Sequence, residues 1–429
     1  MSRNLFISFL GSTYYQACNY VREEFKCENT RFIQIATMKY LKVDEWSEKD
    51  SVRIFVTKGE NGSYIKNWLN GGHGDKNTKG LESEINKLNI KADVKPVIVD
   101  DGNNEKEIWD IFNKLYEEIR TGDKLYIDIT HGFRYLPMMF IVFVNYCKVL
   151  KNVEVVRITY GNFEARTNSY APIIDITTFS QLQDWTNAAN LFVNHGSTKM
   201  ISDLIDYDEL KSNLILFSDI YSTVRGKDLF KGEVAVNLKK QISEIKNEIS
   251  PFEPIKKQLI SKLSEYETGN IIKNGMSAIK YCIDFNLTQQ GITLLSEFVI
   301  TYILIFIDED WEDKINRDTV SGCLNINSKE QYEYRYFKKK SINDNATEVN
   351  NENIVEQEKR IVEKVFKLHF KKQISDILYK KISQGNRNDI NHAGIRSSPK
   401  EAAYLKDRLN KYYNLLNEII IKENANKPK

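Results

Sequence analysis

Residues 126–140 read YIDITHGFRYLPMMF. The opening YIDI has the β-branched and aromatic character of a strand, Thr130, His131, Gly132 and Arg134 gather polar donors at its end, and LPMMF begins an apolar helix. In an open α/β sheet, ligands sit in such loops, beyond the carboxyl ends of the strands. Working outward, NLFISFL (4–10), TRFIQIA (30–36), VRIFVT (52–57), VKPVIV (94–99), KLYIDI (124–129) and VEVVRIT (153–159) have the same strand character. Helical patterns lie between them at 81–88 and at 105–119, where Ile108, Ile111, Phe112, Leu115 and Ile119 recur at spacings of three and four. Strands alternating with helices predict an α/β, Rossmann-like, largely parallel sheet domain over residues 1–178. The first strand runs into Gly11, Ser12, Thr13 and Tyr14, and this loop is expected to open on the same sheet edge as 130–134.

Beyond residue 178 the strand signal fades and the chain reads as all-α, with helical patterns at 182–193, 238–249, 278–285 and 292–307. A helical linker region at 179–265 and a helical domain at 266–429 are expected. The polar, asparagine-rich stretch 325–356 has no steady period, and its latter half is expected to be a mobile insertion. Helices are expected again at 358–383 and 399–421, with a pause at 384–386.

A chain of 429 residues exceeds one ordinary core, so two or three domains are expected. Its 61 basic and 59 acidic residues leave a net charge of +2, so nucleic-acid binding must rely on local patches. The five cysteines are scattered with no C-x-x-C pair, which points to a reduced, cytoplasmic protein without a structural zinc site. The apolar run at the N-terminus is too short for a signal peptide. The longest later one, 298–307, is about half of a membrane span, so the chain reads as soluble.

Two clusters carry chemistry. Gly11, Ser12 and Thr13 with Thr130, His131, Gly132 and Arg134 offer backbone N–H groups, hydroxyls and a cation beside a helix start, which suits an anion or nucleotide. Asp128 and His131 also permit a base and its orienter, and plain turn structure would use the same residues. The second cluster is RNDINH, 387–392. Arg387 brings a permanent planar cation and His392 a proton exchanger near neutrality. These two groups suffice for metal-free RNA cleavage through a 2′,3′-cyclic phosphate. Five residues apart on one helix, they point about 140° away from each other. Either Arg387 lies at an irregular helix start, or two copies of the segment complete one site. Asn388 shares a face with His392. The same short pattern also arises as an ordinary helix surface. His73, His195 and His369 read as surface or packing residues.

Taken together, FLGSTYY, DITHGFR, YGNFEAR, PIIDIT, LQDWTNAANLFVNHG and RNDINH resemble the CARF-HEPN ribonucleases, ancillary effectors of type III CRISPR systems. The resemblance implies a CARF domain that binds cyclic oligoadenylate across a dimer two-fold, through Gly11, Ser12, Thr13, Thr130, His131, Gly132 and Arg134. It implies a HEPN domain at 266–429 that cuts single-stranded RNA without metal through Arg387, Asn388 and His392 of both protomers. No metal and no cofactor other than the activator are expected, with cyclic tetra-adenylate favoured over cyclic hexa-adenylate. Slow cleavage of the activator by the CARF domain, with Ser12, Thr13 and His131 aligning its 2′-OH, is a further implication. Ser12, Thr13 and Tyr14 are bulkier than the small loop usual in that group. The competing reading is a non-enzymatic sensor or transcription regulator, for which Lys338–Lys340 would be the best basic patch.

Overall fold

Strand β1, Asn4–Leu10, is buried along six of its seven residues, the mark of a central strand covered on both faces. In the computed structural model, which describes residues 2–71, 79–132, 135–245, 252–338, 351–395 and 397–426, the chain forms two compact units, 1–184 and 185–429.

The first unit holds an eight-stranded sheet. Its strands are β1, β2 (Cys18–Arg22), β3 (Phe25–Thr30), β4 (Ser51–Thr57), β5 (Asp93–Val99), β6 (Lys124–Asp128), β7 (Glu154–Gly161) and β8 (Tyr170–Asp175), in the order β3-β2-β8-β7-β6-β1-β4-β5. After β1 the chain first forms the β2–β3 hairpin at the far edge, then lays β4 and β5 on one side of β1 and β6 and β7 on the other. The topological switch point therefore lies between β1 and β6, where the rule for open α/β sheets places a ligand. Helices α1 (Ile33–Tyr40), α2 (Leu81–Asn86), α3 (Glu105–Glu118) and α4 (Leu136–Lys151) cover the sheet. One core, with Leu5, Ile7, Leu125 and Ile127, packs under α3 and α4, and another, with Phe6, Val52, Ile54 and Val56, under α1 and α2.

The sheet is mixed rather than parallel. The five strands β7-β6-β1-β4-β5 are parallel, but β8 runs antiparallel to β7, and β2 and β3 form an antiparallel hairpin at the edge. The hairpin escapes sequence reading because an edge strand carries charges, here Arg22, Glu23, Glu24 and Lys26, that dilute the strand signal. The strand expected at 30–36 is also corrected, since β3 ends at Thr30 and α1 begins at Ile33. Residues 33–38 are all buried, and a helix without a polar face shows no helical period.

Helix α5, Thr178–His195, spans the boundary between the units. The second unit is helical in its described residues, with one hydrophobic core running from Trp185 to Ile420. At its centre is the helix Thr288–Phe306, which includes most of the run noted at 298–307. It is long and apolar enough to cross a membrane by composition, yet 67% of its apolar window is buried inside the protein, as befits a core helix. The stretch 325–356 is helical at Lys329–Tyr332, at Glu333–Lys338 and from Asn351, while 339–350 lie outside the described residues, as does His73. The pause expected at 384–386 is absent. A wide helical run, Ile374–Arg387, continues directly into Asn388–Asn391, and the break falls earlier, after the helix Asn351–Phe366. Burial of Ile374, Leu378 and Ile382 holds that run against the core despite Gly385.

Candidate functional site

At the switch point, Ser8 of β1 and Asp128 of β6 are register partners, and both are fully buried. Ser8 Oγ donates to Asp128 Oδ2 at 2.7 Å and accepts from Gln34 Nε2 of α1 at 3.2 Å. Thr130 donates its backbone N–H (3.2 Å) and its hydroxyl (2.5 Å) to Asp128 Oδ1, while its Oγ1 accepts the Gly161 N–H at 2.7 Å. Burial pushes the Asp128 carboxyl above its ordinary range, and the Ser8 and Thr130 donors oppose that rise. Asp128 thus ties the DITHG loop to β1 and to β7. Its hydrogen bonds go to Ser8 and Thr130, so the geometry does not favour it as the orienter of a His131 base.

Beyond these strand ends lies a cavity of about 270 Å³. Gly11, Ser12, Thr13, Thr130, His131 and Gly132 all line it, against an apolar wall of Phe9, Phe55, Val99 and Ile111. The two loops therefore meet at one site. Arg134 lies outside the described residues. Among the described lining residues there is no lysine or arginine, and Asp101 is the one carboxylate. The donors here are backbone N–H groups and hydroxyls, with Gly132 at φ +144°.

The His131 ring stacks on Tyr15 with centroids 4.3 Å apart. Burial lowers its pKa from 6.5 to about 4, so the imidazole is neutral at physiological pH and contributes a hydrogen bond rather than a positive charge. The Tyr15 hydroxyl is buried against Gly11 and Thr13, without a well-formed hydrogen bond among the described residues. A Cβ on Gly11 would stand 2.6 Å from that hydroxyl, so the close approach of loop and ring requires glycine. Buried Asn67 donates from Nδ2 to Gly11 O (2.7 Å) and Thr13 O (2.8 Å), clamping the loop from below.

In the second unit, Arg387 is the last residue of the wide helical run and His392 closes the short helix after it. The His392 N–H donates to Asn388 O at 3.1 Å, so helical geometry persists across the segment and Arg387 is not at a helix start. Arg387 is half-buried and turned inward, with Nη1 2.8 Å from Glu297 Oε1. Glu297 also pairs with Arg317 at 2.8 Å. His392 is exposed, and its imidazole makes no hydrogen bond among the described residues. Asn388 is half-buried beside it. The chain thus presents Arg387 and His392 to different surroundings.

Sequence reading did not single out Tyr15, Gly161, Asn67, Gln34 or Glu297. Tyr15 and Gly161 lie inside the FLGSTYY and YGNFEAR stretches quoted for the resemblance, whereas Asn67 and Glu297 sit in segments with no motif of their own.

A switch-point cavity lined by neutral donors, on a sheet joined to a helical unit, defines a ligand-binding α/β domain of the sensor class. Comparison with known proteins sharpens this. Residues 5–165 match the family described as CRISPR system endoribonuclease Csx1, CARF domain, and residues 181–287 match that of the CRISPR-associated protein MJ1674, second domain. Over 137 residues the chain is 30% identical to CRISPR-associated protein MJ1674 of Methanocaldococcus jannaschii, covering 30% of this chain and 22% of that protein. The chain thus aligns with about a fifth of that relative's length, and RNDINH lies outside both family matches. The first unit is thus similar over residues 5–165 to a CARF domain, and residues 181–287 are similar to a domain of a CRISPR-associated protein.

Proposed function

We propose that this chain is a cyclic oligoadenylate-activated, metal-independent endoribonuclease that cuts single-stranded RNA, working as a homodimer or higher oligomer. The observation that carries the reading is the separation of Arg387 and His392 on one continuous helical stretch, in a chain whose first unit matches a CARF domain. A cation turned inward and an exposed imidazole form one site when a second copy supplies the complement. Helix α4 supports the pairing, because Met138, Ile141, Val142, Tyr146, Val149 and Leu150 form an exposed apolar stripe along it. That helix begins just after the ligand loop, so a two-fold through it brings two loops together around one symmetric ring.

In this reading His392 takes the 2′-OH proton as the 2′-oxygen attacks phosphorus, Arg387 stabilises the charge on the phosphorane, the bond to the 5′-oxygen breaks and that oxygen takes up a proton from water, and Asn388 orients the strand or the imidazole. The activator, with cyclic tetra-adenylate favoured over cyclic hexa-adenylate, is held by Gly11, Ser12, Thr13, Thr130, His131, Gly132 and Arg134. It acts through tighter binding to the active arrangement. Slow activator cleavage in the same cavity would use Ser12 and Thr13, with neutral His131 orienting the 2′-OH. The test is a fluorescent RNA reporter incubated with cyclic oligoadenylates of three to six units in EDTA. Cleavage with one ring, abolished by His392→Ala while ring binding persists, is the expected result. Silence with every ring would replace this reading by a non-enzymatic sensor or transcription regulator. The Lys338–Lys340 patch that such a regulator would use lies outside the described side chains.

A further inference from the structure

Next to RNDINH, between the run Ile374–Arg387 and the helix Ala402–Asn426, lies a second cavity of about 450 Å³. Lys380, Lys381, Lys400 and Arg408 line it, together with Tyr404, and among the described residues no carboxylate does so. Lys380 is partly neutralised by Asp376 at 3.0 Å, but no ion pair holds Lys381, Lys400 or Arg408 among the described residues. Their placement is built rather than incidental. Tyr404 and Arg408 are one helical turn apart, with the guanidinium 4.7 Å from the ring centroid, and the Lys400 ammonium lies 5.6 Å from the same ring. Asp389, itself buried, accepts the Lys400 backbone N–H at 3.1 Å and fixes the start of that segment.

Among the described residues, two donors in this cavity lack acceptors. Asn386 is 3% exposed, and its Nδ2 has no described partner; Arg408 Nε is likewise buried with none. A buried donor without an acceptor costs about 1–3 kcal/mol, a cost that an incoming acceptor removes. Three uncommitted cations and two orphan donors call for a ligand that is anionic and rich in acceptor oxygens. A phosphodiester meets both demands. Asn386 immediately precedes Arg387, so a strand held here lies beside the Arg387 segment.

We propose that this cavity is a phosphodiester-binding subsite that grips single-stranded RNA beside the bond to be cut, with Lys381, Asn386, Lys400 and Arg408 as its phosphate contacts. The proposal rests on the ribonuclease reading for the identity of the strand. Binding is tested apart from cleavage with a short fluorescein-labelled 2′-O-methyl RNA, which lacks the attacking hydroxyl, by anisotropy over a salt series with mixed cyclic oligoadenylates present. Lys400→Gln and Arg408→Gln are each expected to weaken binding about fivefold and to make the salt slope shallower by about 0.7. Both change exposed or half-exposed side chains, and unchanged thermal midpoints verify folding. Asn386→Asp, which replaces an orphan donor by an anion, is expected to weaken binding further. Binding by wild type with unaltered affinity and slope in the two cation variants overturns the subsite and leaves the ribonuclease reading intact. No binding by the wild-type protein overturns both.

Discussion

His131 allows the most direct quantitative test of the switch-point cavity. Its imidazole stacks on Tyr15 and is shielded from water, which lowers its pKa from 6.5 to about 4. At about 1.4 kcal/mol per tenfold change in proton affinity, charging this ring in the folded state costs about 3 kcal/mol more than in the unfolded chain. The direction follows from linkage. Below pH 6.5 the unfolded chain binds a proton that the folded site accepts only near pH 4, so stability falls as pH drops through that window and is restored as it rises. Replacing His131 by Phe keeps an aromatic ring on Tyr15 and removes the proton. Denaturant unfolding of both proteins, followed by the far-ultraviolet signal of the sheet unit, is expected to show the wild type losing about 2 to 3 kcal/mol more than His131→Phe between pH 7 and pH 4.5. Equal losses would refute the buried, neutral imidazole. A His131 resonance, assigned by its absence from the His131→Phe spectrum, that titrated near 6.5 would do so independently, and His131 would then have to be treated as a cation towards the ligand.

Three further outcomes follow from the same geometry. Asn67→Ala removes both hydrogen bonds to Gly11 O and Thr13 O, and is expected to cost about 1–3 kcal/mol of stability and to weaken cyclic oligoadenylate binding, read by calorimetry. Gly11→Ala forces a methyl against the Tyr15 hydroxyl, and should cost about 1–3 kcal/mol while reducing ring affinity; unchanged affinity would show that the loop is not positioned by this contact. Glu297→Gln neutralises the partner of both Arg387 and Arg317, in ion pairs whose side chains are 22% to 36% exposed, so stability should fall by no more than about 1 kcal/mol per pair. If the Glu297 pair restrains Arg387, reporter cleavage without activator should rise; no rise at full folding would assign the pair a purely structural role.

The sequence by itself determined the α/β class of the first unit, the strands β1, β4, β5, β6 and β7, and the helical character of the second. Each of these has a buried face or run that repeats with a definite period. It also determined that the loops after β1 and β6 share an edge, since parallel strands end on the same side. It did not determine the β2–β3 hairpin, whose place at the sheet margin leaves it charged, or β8, a six-residue interior strand interrupted by Pro172, or α1, whose burial from Ile33 to Met38 erases the helical period. Only the tertiary structure decided what the clustered residues do. Asp128 looks like a partner of His131 in the one-dimensional order, three residues away, but the register with β1 turns it to Ser8 and Thr130. Arg387 looks free beside the expected pause, but packing against the helix Thr288–Phe306 places it on Glu297. Neither contact has a local signature, because Ser8 and Glu297 reach their partners across 120 and 90 residues of chain, and only the close packing of distant elements brings those atoms together.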